Sequence, residues 1–218
     1  MARALPAREL GPAAQAEFYE RPSSVVGPDL LNRVLVTRVD GHAVALRITE
    51  VEAYGGVGID PGSHAYRSRT PRNASLFLPG GHLYVYRSYG IHWCGNIVTG
   101  EHEGASGVLI RAGEVIGGAV TARQRRERSG SVASPRDLAR GPGRVGAALG
   151  LSKALDGIAI EPGGLVSLHL GKAGQTVAVA AQLGVSSRTG IRGAGSVVQW
   201  RYFLVGDSTV SPHRPLPA

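Results

Sequence analysis

The sequence predicts a single α+β domain built on a mostly antiparallel β-sheet. Segments in which every second residue is apolar outnumber segments with helical periodicity, and short turn sequences join several of them directly. No long linker, repeat or low-complexity segment divides the 218 residues. We therefore expect one domain over residues 1–218, with residues 1–12 as a loose lead-in.

Two short helical pieces are predicted before the first strand. Residues 13–20 form one, because a proline soon follows and cannot continue a helix. A second is expected to begin at Asp29. The apolar period then changes to two, which predicts a strand at residues 33–39. Asp40-Gly41 is a strong tight-turn signal, and residues 43–54 return as a long strand.

Glu52 lies near the end of that long strand. Strict alternation puts it on the same face as Leu46 and Ile48, which mark the inward side of the sheet. A carboxylate there is costly unless it is paired or functional. Glu52 is therefore either a general base that deprotonates a water or one half of a structural Glu–Arg pair.

Residues 55–75 form an irregular stretch, and loops of that length are usually functional or disordered. The loop contains Arg67, Arg69 and Arg72, whose guanidinium groups are suited to phosphate contacts. A solvated surface is the alternative explanation for these arginines.

Residues 83–97 predict a β-hairpin with Tyr89 and Gly90 at its tip. An aromatic ring at an exposed turn buries nothing in its own domain, so we expect it to insert into a partner. Twenty-four basic against 16 acidic residues, a net charge of +8, favour a polyanionic partner, although an arginine-rich genome would also raise the charge. The base stack of duplex DNA would accept such a wedge.

The later elements follow the same local rules. Residues 105–111 predict an apolar strand ending in Arg111, which could orient Glu52 or simply reach solvent. Helices are expected at residues 115–128 and 143–149. Short strands complete the chain at residues 165–170, 177–183 and 197–205.

Tyr54, His64, Tyr84 and Tyr86 could form a slot that sandwiches a flat base, and a cationic base would gain further from their π faces. Tyr84 and Tyr86 point the same way because they are two residues apart on a strand. Ordinary core packing is the alternative for any one of these rings.

Several classes of site are excluded. A single cysteine and scattered histidines make no metal cage and no zinc deaminase signature, and no phosphate-binding loop motif is present. The two lysines, Lys153 and Lys172, lie outside the Glu52 and Tyr89 segments, which favours water over a Schiff-base nucleophile. With no disulfide pair and no membrane-length apolar run, we expect a soluble, intracellular, cytoplasmic protein.

These residues, in their order and spacing, resemble the alkyladenine (3-methyladenine) DNA glycosylase family, and the likeness covers nearly the whole chain. The segments that carry it are Arg47-Ile48-Thr49-Glu50-Val51-Glu52-Ala53-Tyr54, Ser63-His64, Thr70-Pro71-Arg72-Asn73, Gly81-His82-Leu83-Tyr84-Val85-Tyr86, Tyr89-Gly90, Cys94 with Asn96, and Val108-Leu109-Ile110-Arg111-Ala112.

The resemblance implies how a damaged base would be held. Tyr89 would intercalate where the flipped nucleotide had been. Tyr54 would stack on one face of the base, with His64 and Tyr86 on the other. The amide of Asn96 would clash with the exocyclic amino group of a normal guanine.

The resemblance also implies the chemistry. Glu52 would be the general base, with Arg111 and the main-chain carbonyl of Thr189 placing the water. The family fold is a compact domain around a curved antiparallel sheet, without metal or redox cofactor. Its members release a free base from duplex DNA and leave an abasic site. We expect a monomer that acts on 3-methyladenine-type lesions, with hypoxanthine and ethenoadenine as further candidates.

Two other hypotheses remain open from the residues themselves. A non-catalytic nucleic-acid-binding protein would share the charge and the wedge but would need no carboxylate at Glu52. A small-molecule hydrolase using Glu52 and His64 would need no basic surface.

Overall fold

The computed structural model describes residues 10–171 and 181–213 and contains an eight-stranded sheet in which all paired strands run antiparallel. The strands are β1 (Val34–Val39), β2 (His42–Tyr54), β3 (Leu83–Ser88), β4 (His92–Thr99), β5 (Ser106–Gly117), β6 (Val166–His169), β7 (Leu183–Ser186) and β8 (Arg201–Leu204). The main path runs β3-β4-β5-β2-β1-β6, and β8 joins β2 to β7.

Within residues 10–171 and 181–213, four helices surround the curled sheet, as the α+β prediction required. They are α1 (Ala16–Tyr19), α2 (Ser23–Asp29), α3 (Ala119–Glu127) and α4 (Pro142–Leu149), with 3-10 turns at Ala74–Phe77, Pro135–Asp137, Lys153–Leu155 and Gly193–Gly195. Helix α4 packs on β4 and β5, and α2 packs on β2. No helix in the described residues is long and apolar enough to cross a bilayer.

Strand β2 changes its neighbour midway along one edge. Its first half, up to Arg47, pairs with β1, whereas Glu50–Glu52 pair with β8. The register with β5 is irregular on both sides of Glu50. A bulge at this place bends the strand and lets the sheet curl.

The irregularity overturns the predicted face of Glu52. Leu46 and Ile48 lie in the main core before it, but Val51 and Ala53 occupy that core after it. Side chains alternate strictly only in a regular strand. Glu52 is therefore on the face opposite to the core residues, because the alternation changes phase at the bulge.

Other element boundaries also differ from the prediction. The helix expected to begin at Asp29 ends there instead: α2 starts directly after Pro22, whose fixed φ suits the entry to a helix. The helix predicted from residue 115 begins at Ala119, because β5 continues to Gly117 and Gly118 breaks the strand at φ 71°.

The last predicted strands are shorter in the structure. Part of the strand predicted at residues 177–183 lies outside the described residues, and β7 begins at Leu183. Of residues 197–205, only Arg201–Leu204 form a strand. Residues 1–9 of the expected lead-in also lie outside the described residues, whereas Leu10 is buried against β1 and β2.

Candidate active site

A cavity of about 640 Å³ opens between the β3–β4 hairpin, the long loop after β2 and the segment before β8. Its walls include Glu52, Tyr54, His64, Arg72, Tyr84, Tyr86, Tyr89, Cys94, Asn96, Arg111 and Thr189. Ligand sites of small-molecule size are commonly about 300–1,000 Å³. The structure therefore brings the predicted site residues together, except Arg67 and Arg69, which do not line the cavity.

The Glu52 carboxylate is completely buried at the inner wall and is held by three donors. The Tyr54 hydroxyl donates to Oε2 at 2.8 Å, and Arg111 Nη1 donates to the same oxygen at 3.1 Å. The main-chain amide of Thr189 donates to Oε1 at 2.6 Å. A carboxylate has about four acceptor positions, so one remains on Oε1.

Glu52 reaches the cavity because of the bulge in β2. With the alternation changed, Glu52 and Tyr54 point away from the core that contains Val51 and Ala53. Glu52 is therefore both ion-paired with Arg111 and part of the cavity wall. The sequence left two explanations for a buried Glu52 open, a general base and one half of a structural Glu–Arg pair. The structure is compatible with both at once.

Arg111 is the basic partner of this carboxylate and is itself buried. Its Nε donates to Glu50 Oε1 at 2.8 Å, while its Nη1 contacts Glu52. Burial alone would lower the pKa of Arg111, but the charges of Glu52 and Glu50 outweigh burial and raise it. Arg111 is thus a permanent cation that joins the two acids.

Three rings form one aromatic wall of the cavity. The Tyr84 and Tyr86 rings stack with centroids 5.4 Å apart, and the His64 ring meets Tyr86 edge-on at 4.5 Å. His64 Nδ1 lies 3.0 Å from the Tyr84 hydroxyl. Desolvation against this wall, and then the charge of Arg72, lower the pKa of His64, so its imidazole is neutral at pH 7.

Tyr54 belongs to a separate part of the cavity and is fixed from behind. The Arg188 guanidinium lies 4.6 Å from the centroid of the Tyr54 ring. Burial, followed by the negative charge of Glu52, raises the pKa of Tyr54. Its hydroxyl consequently stays protonated and acts as a donor to Glu52.

Asn96 and Cys94 come from β4 and face the cavity between these walls. The Asn96 amide is buried and donates to the Tyr84 carbonyl at 3.3 Å, which fixes the orientation of its head group. Burial raises the pKa of the Cys94 thiol to about 11. Cys94 is therefore a neutral thiol at pH 7 and not a nucleophile.

Tyr89 stands at the rim, where the hairpin turns, and its side chain is 91% exposed. Tyr89 and Gly90 both have positive φ, 50° and 68°. The left-handed turn directs the ring away from the protein. The structure thus confirms an exposed aromatic side chain at the tip of the hairpin and places it beside the cavity mouth.

The three loop arginines differ in their surroundings. Arg72 lies at the cavity rim, with its guanidinium 5.8 Å from the centroid of Tyr86. Arg69 is ion-paired with Glu103 at 3.0 Å. Arg67 is exposed. Among the described residues there is no cluster of three or more His, Cys, Asp or Glu side chains that could hold a metal ion.

Sequence reasoning missed the residues that support the site from behind. Glu50 contacts Arg111, and the Asp60–Arg188 ion pair backs Tyr54. The spacing of Glu50 from Glu52 on one strand was a usable signal. No local pattern links Asp60 to Arg188, which is 128 residues away. The resemblance implied that the main-chain carbonyl of Thr189 helps to place the water; the contact of Thr189 with Glu52 is a hydrogen bond from its main-chain amide.

Comparisons with known proteins match most of the chain to one family. The sequence profile described as methylpurine-DNA glycosylase matches residues 17–208. Proteins named "Putative 3-methyladenine DNA glycosylase" from Streptomyces avermitilis and Frankia casuarinae are 48% and 45% identical to this chain. The alignments cover 91% of this chain in both cases, and 90% and 92% of the two relatives. A protein of the same name from Leifsonia xyli is 43% identical, over 88% of this chain and 89% of its own length.

Proposed function

The chain belongs to the methylpurine-DNA glycosylase family, and we propose that it excises alkylated or otherwise damaged purines from duplex DNA. It would act as a monomer and hydrolyse the N-glycosidic bond, leaving an abasic site. Purines of the 3-methyladenine type are the first substrates, and hypoxanthine and ethenoadenine are further ones. One observation carries the proposal: a buried, hydrogen-bonded carboxylate, Glu52, lies in the wall of a cavity of about 640 Å³, beside the exposed aromatic ring of Tyr89.

The first step is extrusion of the damaged nucleotide. Unstacking and unpairing a base cost a few kcal/mol, and least for a damaged base. The exposed ring of Tyr89 can fill the gap in the stack and so offset part of this cost. The wedge adjoins the cavity mouth, which keeps the path of the extruded base short.

The cavity would then hold the base by stacking. Tyr54 offers one aromatic face, and the Tyr86–His64 pair offers another. Stacking of a base on an aromatic side chain contributes about 1–3 kcal/mol in single-strand binders. The fixed amide of Asn96 would exclude a guanine through its exocyclic amino group, since the hydrogen bond to the Tyr84 carbonyl limits how far the amide can turn.

The chemical step uses a water as nucleophile and Glu52 as general base. The remaining acceptor position on Oε1 takes a proton from the water, whose oxygen forms a bond to C1′. The bond between C1′ and the purine nitrogen breaks, and its electron pair leaves with the base. For a cationic alkylated purine this departure yields a neutral base. Arg111 keeps the carboxylate oriented through the bond to Oε2, and the Thr189 carbonyl would be a second acceptor for the water.

The substitution Glu52→Gln tests the assignment. We expect release of free base from methylated duplex DNA to fall at least about 100-fold, the range of general base catalysis, while DNA binding remains. Chromatography of the released base and gel-shift binding measure the two properties. Glu114→Gln is the control, since Glu114 is an exposed partner of Arg47 on the same sheet.

Full activity of Glu52→Gln would contradict the role of this carboxylate. Absence of base release by the native protein on every lesion tested would favour a non-catalytic nucleic-acid-binding protein. Activity that does not depend on DNA length or salt would favour a small-molecule hydrolase.

A further inference from the structure

Glu50 is a second buried acid two residues before Glu52, and it does not line the cavity. Its Oε1 accepts bonds from Arg111 Nε and Arg201 Nε, both at 2.8 Å, and from Ser211 Oγ at 2.9 Å. Its Oε2 accepts the Ser211 amide at 2.7 Å. Such complete satisfaction is what allows a carboxylate to remain charged in the interior.

The two acids are connected through a single guanidinium. Arg111 uses Nε for Glu50 and Nη1 for Glu52, so the position of one carboxylate limits the other. With Arg201, the cluster contains two anions and two cations and is neutral as a whole. In the proposed reaction Glu52 accepts a proton and loses its negative charge. The net charge of the residues around it therefore affects this step.

We propose that Glu50 is a positioning residue for base excision, which fixes Arg111 and balances its charge so that Glu52 stays both oriented and basic. This inference rests on the proposed function. Glu50 does not line the substrate cavity, and the contact that joins it to Glu52 is made by Arg111.

The C-terminal part of the chain completes this cluster. The Ser211 carbonyl accepts a bond from Arg201 Nη2 at 3.2 Å, and the carbonyl of Val210 accepts one from Arg140 at 2.9 Å. The hydroxyls of Thr209 and Thr49 lie 2.8 Å apart. The segment therefore covers Glu50 on its far side and keeps water out of the charge cluster.

The charge balance of this cluster predicts how base excision depends on pH. The charged and titratable groups around Glu52 come from five strands and from the segment before β8; they are Glu50, Tyr54, Tyr86, Cys94, Arg111, Arg188 and Arg201. Removing the charge of Glu50 leaves this environment one unit more positive. A more positive environment favours the ionised form of a carboxylate that faces it.

The substitution Glu50→Gln measures this effect. In single-turnover excision of a methylated base from duplex DNA, we expect the plateau rate to fall about tenfold, and the acid limb of the rate profile to move to lower pH by about one unit. DNA binding should stay native, because Glu50 is outside the cavity. Glu114→Gln, which removes an exposed carboxylate from the same sheet, should leave both features unchanged.

A merely structural Glu50 would lower the amount of active protein without moving the acid limb. A folded Glu50→Gln protein with an unmoved limb therefore overturns the inference. If the native protein releases no base, the proposed function itself is wrong. If the native protein is active and the acid limb of Glu50→Gln stays at the native pH, only the role of Glu50 is contradicted.

A second pair of variants decides the question if Glu50→Gln does not fold. Ser211→Ala removes one hydrogen bond to Glu50 but keeps every charge, whereas Ser208→Ala changes an exposed serine in the same segment. We expect Ser211→Ala to reduce the plateau rate a few-fold with its acid limb in place, and Ser208→Ala to match the native protein. Equal rates for the two variants would overturn the inference.

Discussion

Asp60 and Arg188 show how a buried ion pair builds a binding wall from two separate loops. Arg188 donates to both Asp60 oxygens, at 2.6 and 2.7 Å, and also to the carbonyls of Ala53 and Gly195. Both side chains are inaccessible to water. Because Arg188 also stacks on Tyr54, this pair determines where the aromatic wall of the cavity lies. Its contribution to stability depends on both partners being present.

Asp60→Asn is expected to destabilise the protein by about 3–5 kcal/mol, because it leaves the Arg188 charge buried and unpaired. Urea unfolding at pH 7 measures the loss. Asp29→Asn, at the surface pair Arg21–Asp29, is the control and should cost at most about 1 kcal/mol. Equal losses of unfolding free energy in the two variants would contradict the prediction that the buried pair contributes more to stability than the surface pair.

The same pair makes stability depend on pH. Burial by itself would raise the pKa of Asp60, but the bonds from Arg188 and from two glycine amides outweigh burial and lower it. An acid whose pKa is lowered on folding contributes fully above its unfolded value of about 3.9, and the contribution is lost as the pH falls further. As the pH falls below about 4, the free energy of unfolding should therefore decrease less for Asp60→Asn than for the native protein.

The β3–β4 hairpin shows how local backbone conformation presents a functional side chain. Its strands pair from Leu83↔Ile97 to Ser88↔His92, and the turn between them contains Tyr89. A positive φ is uncommon for a bulky residue and often marks a functional site. At Gly90 an added Cβ would meet nothing within 4 Å, so the glycine is needed for its φ and not for space.

Tyr89→Ser should weaken lesion capture at least about tenfold and reduce flipping, because it removes the ring that fills the base stack. Fluorescence of 2-aminopurine placed next to the lesion reports flipping. Tyr89→Phe keeps the ring and should retain the signal. The fold should be unaffected, since the side chain is 91% exposed. An unchanged signal in Tyr89→Ser would contradict the wedge.

The charge of the whole molecule complements these local features. A net charge of +8 and exposed arginines beside the cavity suit a polyanion that carries the lesion to the site. Arg72 marks the rim itself, and Arg67 lies further out in the same loop. Arg69 is already neutralised in part by Glu103. In the proposed function, these exposed arginines and the cavity contact the same DNA duplex.

The salt dependence of DNA binding tests this interface. Each phosphate contact contributes about −0.9 to the slope of log K against log salt concentration, so Arg67→Ala should make the slope about 0.9 less negative. The loss of affinity should be the same for lesioned and undamaged duplexes. Arg38→Ala on β1, four strands from β3, is the control and should leave the slope unchanged. An unaltered slope for Arg67→Ala would exclude a phosphate contact there.

The sequence by itself determined the α+β class, the hairpins and many of the residues that line the cavity. Strand period and turn residues are local properties, so the turns at Asp40-Gly41 and Tyr89-Gly90 were predictable, and the ordered motifs identified the family. Boundaries were less predictable: β5 extends to Gly117 because its pairing with β2 outweighs local helical preference.

Only the tertiary structure decided which way Glu52 points and what supports it. The phase change at the bulge arises where β2 exchanges β1 for β8 as its neighbour, and no property of β2 alone specifies that exchange. The supporting contacts join residues far apart in the chain, 128 residues for Asp60 with Arg188 and 161 for Glu50 with Ser211. Such partners are selected by burial of charge in the folded protein, which leaves no periodic trace in the sequence.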